Sequence, residues 1–323
     1  MADVPKKSPA FGSIVMNIAA NVLGLDNAAT PMGIKAMEQL QVENPNKKEA
    51  SNAQILFMVI NSSSVTLVPI TILMYRSELG STNPSLVFLP ILFATCISTL
   101  VGFLSVAMVQ KINIFNRIVL IYISVFITII SLLCVGFSFL SAEVRNAVAS
   151  DFGNFIIGLI VCGFIIFGLF RKVKVYDEFI EGAKDGFNIA ISIIPYLVAM
   201  LVGIALFRTS GVMEAIIIGV KELCLLLNIN ADFVPALPTA LLKPLSGSGA
   251  RAMMIETMQT YGADSFPAFV SAVVQGSTET TFYVIALYFG SVGIVKTRYT
   301  VKVGLFADFI GVLSSFILVY LLF

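Results

Sequence analysis

Seven mostly apolar runs, at 53–75, 86–109, 118–141, 152–170, 189–207, 268–289 and 303–323, dominate this chain of 323 residues. Each reaches or approaches the ~20 residues a helix needs to cross about 30 Å of hydrocarbon. Few water-soluble folds have a use for so many segments of that length. Charge points the same way. Only 12% of residues are charged and mean hydropathy is +0.95, whereas a soluble domain is about 25% charged. The expected fold is an all-α polytopic membrane protein in contact with the lipid bilayer. It would have about seven spanning helices and, from the interruptions described next, two broken or re-entrant helical hairpins.

Two further segments are interrupted rather than continuous. One contains IAANVLGLDNAATPMG, ending at Gly33, and the other contains PALPTALLKPLSGSGARAM, ending at Met253. Glycine and proline beside small polar residues mark a helix that stops and another that starts. Such backbone survives at membrane depth only where protein or a polar cavity satisfies its N–H and C=O groups. The N-terminal stretch resembles a secretion signal only superficially, because Asn17 and Asn21 interrupt its apolar part and no convincing cleavage site follows.

The chain also matches itself. The stretch from Ala53 aligns without a gap onto the stretch from Pro267, a separation of 214 residues, and sets NSSSVT (61–66) opposite QGSTET (275–280). An interrupted segment precedes each copy, with Lys35-Ala36-Met37 opposite Arg251-Ala252-Met253. Each unit then reads as a broken hairpin, a polar-centred span and a plainer span. The expected division is 1–141 for a first half, 142–177 for a linking span and charged connector, and 178–323 for a second half. Whether the halves are parallel or inverted turns on 212–228, where Glu214, Lys221 and Glu222 interrupt a short apolar stretch. A charge at mid-span costs several kcal/mol (roughly 2.5–3.5 on insertion scales), so this segment is expected to lie flat on the interface. That leaves three spans between the units and inverts them. It also puts Lys296, Arg298 and Lys302 on the same side as Lys47, Lys48 and the cluster at 171–184, as the positive-inside rule prefers.

The candidate binding residues follow from polarity in these places. Glu279 stands inside an apolar run beside Gln275, Ser277, Thr278 and Thr280. An ionised carboxylate there needs a partner, an ion or trapped water, or else takes up a proton. Helical spacing puts Gln275, Thr278 and Glu279 on one face. Two readings stand: a transport site, and a protonated glutamate tying helices together. The counterpart Asn61, Ser62, Ser63, Ser64 and Thr66 carries no charge, so the halves differ chemically. In PLSGSGARAM, Ser246 or Ser248 can cap a helix starting near Ala250. Free N–H groups there suit an electronegative ligand atom, and the carbonyls before them suit a cation. A plain re-entrant turn is the alternative. Asn27 and Thr30 are the matching polar residues of the first break, with Asp26 and Asp308 as secondary candidates. Lys302 is the expected partner of Asp308. Arg251 with Glu256, and Lys35 with Glu38, read as orientation or intrahelical charge pairs rather than catalytic groups.

Several classes are disfavoured. A net charge of +1 gives no nucleic-acid footprint. There is no histidine, and Cys96, Cys134, Cys162 and Cys224 are scattered, so neither a zinc site nor a disulfide scaffold is expected. Without a GxSxG elbow or a Ser/Lys dyad the chain is not expected to be an enzyme, and no cofactor is expected.

At these residues a family resemblance appears. NIAANVLGLDNAATPMGIKAMEQLQ (17–41) resembles the signature of the spore maturation protein A family. LPTALLKPLSGSGARAMMIETM (237–258) and VVQGSTETTFYVIALYFG (273–290) resemble that of the spore maturation protein B family. The chain looks like a natural fusion of the two, within the nucleoside-recognition or Gate domain group. It is thereby similar to the membrane parts of concentrative nucleoside transporters and of ferrous-iron permeases. The A family carries further membrane segments before the point corresponding to Pro5, so the first half is expected to be truncated. The resemblance implies a multi-pass protein of the bacterial cytoplasmic membrane with a role in spore maturation. The expected function is a transporter core for a small polar solute or ion, with a non-transporting scaffold as the alternative. A second copy or another envelope protein is the expected protein partner.

Overall fold

A computed structural model describes the chain apart from positions 2, 6, 25, 229 and 323 and many positions within 113–141 and 185–208; the side chains at 26–28, at 213–214 and in much of 142–160 are also outside the description. The runs at 118–141 and 189–207 therefore lie largely outside the described residues. Among the described residues the chain is helical, with twelve α-helices. In the first half these are α1 (Ala10–Val22), α2 (Asp26–Glu43), α3 (Asn52–Ser62), α4 (Ile70–Glu78) and α5 (Phe88–Val109), the last entered through a 3-10 turn at Pro84–Val87. There follow α6 (Ala142–Phe170) and α7 (Val212–Leu226). The second half comprises α8 (Leu237–Leu242), α9 (Gly247–Tyr261), α10 (Phe266–Gly276), α11 (Thr281–Ser291) and α12 (Thr300–Leu322).

Among the described residues two helices are long and apolar enough to cross a bilayer, Pro84–Val109 with its entry turn and Thr300–Leu322. They pack along one another. The 15 residues of α7 rise only about 22 Å, less than the thickness of the hydrocarbon core.

Two of the expected spans are corrected. The runs at 53–75 and 268–289 are not continuous helices: the first breaks between α3 and α4, the second between α10 and α11. Serines and threonines mid-run let the backbone leave the helix, because neighbouring segments satisfy what it releases. The Leu67 N–H donates to the Val22 carbonyl at 2.7 Å, and the Phe282 N–H to the Pro244 carbonyl at 3.1 Å. The Thr66 N–H donates to Thr95 Oγ1, and Thr99 Oγ1 donates to the Ser63 carbonyl.

The two halves share more than element order. Ser51 caps α3 by accepting from the Gln54 N–H, and Gln54 returns the bond to the Ser51 backbone, a capping box. Ser265, 214 positions on, caps α10 by accepting from the Ala268 N–H, with Pro267 in the first turn. The two helices nevertheless run in opposite directions. The start of α3 meets the end of α5 and the approach to α12, since Gln110 Nε2 donates to the Asn52 carbonyl and Arg298 Nη1 to Asn52 Oδ1. The start of α10 meets the end of α4 through Arg76–Asp264, and the end of α12 through Phe266 against Tyr320, ring centroids 4.8 Å apart. Because the caps sit at opposite ends of the bundle, Ser51→Ala and Ser265→Ala are each expected to cost about 0.5–2 kcal/mol. In the double variant the costs should add within about 0.5 kcal/mol. Unfolding in mixed micelles measures this; no loss in either single variant would count against the caps.

Candidate functional site

Four interruptions of the chain meet in the interior. The turn between α1 and α2 packs on the α3–α4 break. Gly24 has φ +68°, and a Cβ there would lie 2.2 Å from the Val68 carbonyl oxygen, so the turn needs glycine both for its conformation and for the approach. The turn between α8 and α9 packs likewise on the α10–α11 break, where a Cβ on Gly247 would lie 2.7 Å from Thr280 Oγ1. The two breaks then meet each other, as the Glu279 N–H donates to the Ser62 carbonyl at 2.8 Å.

Between these pieces lies a cavity of about 650 Å³. The first hairpin contributes Asn21, Thr30 and Pro31 to it, and the last turn of α3, just before the first break, contributes Asn61. Ser246, Ser248 and Arg251 come from the second hairpin, and Glu279 and Thr280 from the second break. Tyr283 and Tyr288 of α11 close one wall. A smaller cavity, of about 80 Å³, shares Asn21, Arg251 and Glu279 with the first and adds Thr66, Lys243, Gln275 and Thr278. Glu279 thus stands in the partition between the two spaces.

Local structure explains each position. Ser246 is the cap of α9, its Oγ accepting from the Gly249 N–H at 3.1 Å. The helix starts at Gly247 rather than near Ala250, which brings Ser248 into the first turn, 3.3 Å from Ser246 Oγ. The α10 helix ends at Gly276, so Thr278 and Glu279 are not on a helical face with Gln275 as their spacing suggested. The break itself folds all three onto the smaller cavity. Ser62 and Ser63 turn their hydroxyls onto the Val59 carbonyl, at 3.1 and 2.7 Å, and serve the end of α3. Ser64 is buried beside them. The side chains of Asp26 and Asn27 lie outside the described residues.

Asp308 departs from expectation. It is buried in α12, with Thr278 and Thr281 as neighbours rather than Lys302, and neither carboxylate oxygen has a hydrogen-bond partner. Other lining residues were not singled out from sequence. Arg251, expected in a charge pair with Glu256, lines both cavities. Asn21 lines both as well, and its buried Nδ2 has no partner. Its place in the interrupted segment was the available signal. Tyr288 is held by Asn17, whose Nδ2 donates to the Tyr288 hydroxyl at 3.3 Å and to the Ala29 carbonyl at 2.7 Å. Asn61 in turn donates to Asn17 Oδ1. Among the described residues no group of three or more His, Cys, Asp or Glu gathers as a metal centre.

A family model described as Gate, nucleoside recognition, matches residues 190–295, which include the second hairpin, the second break and α11. Spore maturation protein A of Bacillus subtilis (strain 168) is 46% identical over 96 residues, 30% of this chain and 49% of that protein, so the chain spans about half the length of this relative. No solved structure gives a significant match. Spore maturation protein B of Bacillus subtilis (strain 168) is 47% identical over 167 residues, 52% of this chain and 92% of that protein. With that identity over nearly all of a relative's length, this helical membrane protein belongs to the spore maturation protein B family.

Proposed function

We propose that the chain is a transporter core of the bacterial cytoplasmic membrane, a multi-pass protein built as an inverted repeat, which carries a small polar solute or ion in support of spore maturation. The observation that carries this reading is a polar cavity lined from both hairpins, the second break and the last turn of α3, with the first break lining the smaller cavity beside it. Its size, about 650 Å³, is that of a small-molecule site. Arg251 and Glu279 give it one charge of each sign, and the Ser246, Ser248, Thr280, Tyr283 and Asn61 side chains give it neutral donors and acceptors. Such a lining suits a solute that is itself polar but carries little net charge. The opposite run of α3 and α10 supports the inverted arrangement, in which one half moves against the other around a fixed site.

The test is uptake into proteoliposomes across a panel of labelled polar solutes and alkali cations, under imposed sodium and proton gradients. Native protein is expected to carry at least one of them well above empty vesicles. Glu279→Gln keeps the shape and removes the charge, and is expected to cut that flux at least tenfold, a loss of about 1.4 kcal/mol or more in transition-state or binding free energy. Equal flux in native, variant and empty vesicles for every solute tested would leave the transport reading without support. A scaffold role would then be favoured by recovery of a stable protein partner from native membranes.

A further inference from the structure

The α12 helix carries a feature that the cavity lining leaves unused. Gly304, Asp308 and Gly311 are spaced by four and three, which puts them on one face. A Cβ on Gly304 would lie 2.9 Å from Thr281 Cγ2, and one on Gly311 would lie 2.6 Å from Thr278 Cγ2. The two glycines therefore admit one threonine a turn before Asp308 and the other a turn after it. Both threonine hydroxyls come within reach of the carboxylate, yet neither closes a hydrogen bond. Asp308 Oδ1 and Oδ2, Thr278 Oγ1 and Thr281 Oγ1 are all buried without a partner. Their residues are 3%, 4% and 0% exposed. Nearby hydroxyls behave differently. Ser98 donates to the Ala307 carbonyl at 3.0 Å, and Ser62 donates to that of Val59.

A buried carboxylate without a hydrogen bond is unstable unless something positive neutralises it. The charged side chains that act on Asp308 are Lys243 and Glu279. They oppose one another in sign, and neither bonds the carboxylate. The donor set is all oxygen, which selects a hard cation over a transition metal. A single carboxylate with neutral hydroxyls suits one positive charge, whereas calcium sites gather several carboxylates at six to eight oxygens.

We infer that Asp308, Thr278 and Thr281 form a binding site for a dehydrated monovalent cation of the size of sodium. Thr278 also lines the smaller cavity, where the buried Gln275 Oε1 is a further unpaired oxygen, and this gives the ion a polar route to Asp308. A cation held by Thr278 and Thr281 pins both ends of the α10–α11 break and so fixes Glu279 between them. This deepens the transport reading and rests on it only for the ion's use, since binding is a separate property.

The experiment is thermal melting of the full purified chain in detergent, in sodium, lithium, potassium or choline chloride at constant ionic strength and at pH 6 and 8. Ligand binding to the folded state raises the melting temperature saturably. Sodium is expected to do so over choline, more strongly at pH 8, where protons compete less. Asp308→Asn is expected to abolish the sodium-dependent rise while melting in choline at the native temperature or above it. Thr281→Val is expected to raise the sodium concentration needed at least tenfold. If Asp308→Asn does not fold, the Thr281→Val titration decides alone.

The inference is overturned if no alkali cation shifts melting, or if the shift persists unchanged in whichever variants fold. It is also overturned if acidification in choline stabilises the protein while sodium adds nothing at pH 8, which would make Asp308 a proton site alone. A sodium shift without flux in vesicles sinks only the transport reading; flux without a sodium shift sinks only this one.

Discussion

Replacing Arg76 with alanine is expected to lower the stability of the detergent-solubilised protein by about 2–6 kcal/mol, from two buried carbonyls that each cost about 1–3 kcal/mol when left without a donor. Arg76 is fully buried at the end of α4. Its guanidinium donates to the Pro84 carbonyl at 3.2 Å, the Ala263 carbonyl at 2.9 Å, Ser81 Oγ at 2.9 Å and Asp264 Oδ1 at 3.0 Å. It also lies 5.4 Å from the centroid of the Phe269 ring. One side chain thereby joins the end of the first broken span to the start of the second, across 188 positions of sequence. Alanine would leave the carbonyls of Pro84 and Ala263 without their donor in a buried place. Arg76→Lys is expected to recover only part of the loss, because an ammonium cannot present the planar fork that reaches these acceptors together. Unfolding in mixed micelles measures both variants. A loss below about 1 kcal/mol for alanine would show that the cluster is a solvated surface pair.

The same cluster gives a pH dependence of known sign. Burial works against the charged form of Asp264, but hydrogen bonds from Ser81 and from the Thr82 backbone and hydroxyl, with the Arg76 charge, outweigh it and hold the carboxyl below its ordinary range. Its contribution is therefore complete above the unfolded-state pKa of about 3.9 and is lost as pH falls through the lower folded value. Because Asp264 is 40% exposed, solvent screening keeps this contribution modest. Melting temperature should fall more steeply below about pH 4 in native protein than in Asp264→Asn. Parallel curves for the two proteins would remove Asp264 from the account.

How legible these features are in the sequence depends on the range over which the deciding contacts act. The helices α5 and α12 follow from length and apolarity alone, and the hairpin turns at Gly24 and Ser246–Gly247 follow from local residue chemistry. The interior breaks at 63–69 and 277–280 do not. Serine and threonine are tolerated within apolar helices, where their hydroxyls bond back to the preceding turn, as Ser62 and Ser63 do. What opens the backbone is the offer of distant partners, such as the Val22 carbonyl for the Leu67 N–H. Arg76 carries no local sign of its partner, because Asp264 stands 188 positions away in the sequence. Lys302 is the opposite charge that sequence offers Asp308 on the same helix, but six positions apart the two do not face each other, and packing against α11 and its preceding break supplies Thr281 and Thr278 instead. The grouping of Gln275, Thr278 and Glu279 was reached through a helical spacing that the chain does not keep, and it comes about through the break.

Gly33→Ala is expected to be among the most damaging single-methyl additions in the molecule. A Cβ on Gly33 would lie 2.2 Å from the Tyr288 hydroxyl, 2.3 Å from Tyr288 Cζ and 2.9 Å from Asn17 Nδ2, all inside van der Waals contact. Neither neighbour is free to yield. Tyr288 is 3% exposed and stacked 6.0 Å from the Phe57 ring. Asn17 is fully buried and holds the Ala29 carbonyl while Asn61 donates to it. Overpacking of a filled interior costs about 1–3 kcal/mol and occasionally more, and the depth of overlap here places the expected loss at or above the top of that range. Because Tyr288 and Asn61 both line the cavity, the damage should reach solute binding as well as folding. Tyr288→Leu opens the space the methyl needs, so Gly33→Ala should cost at least 1 kcal/mol less in that background than in native protein, a coupling of the size seen between residues in contact. Additive losses in this cycle would mean that Gly33 is required for something other than the approach of Tyr288, and would detach α11 from the first hairpin in the account of how the cavity is walled.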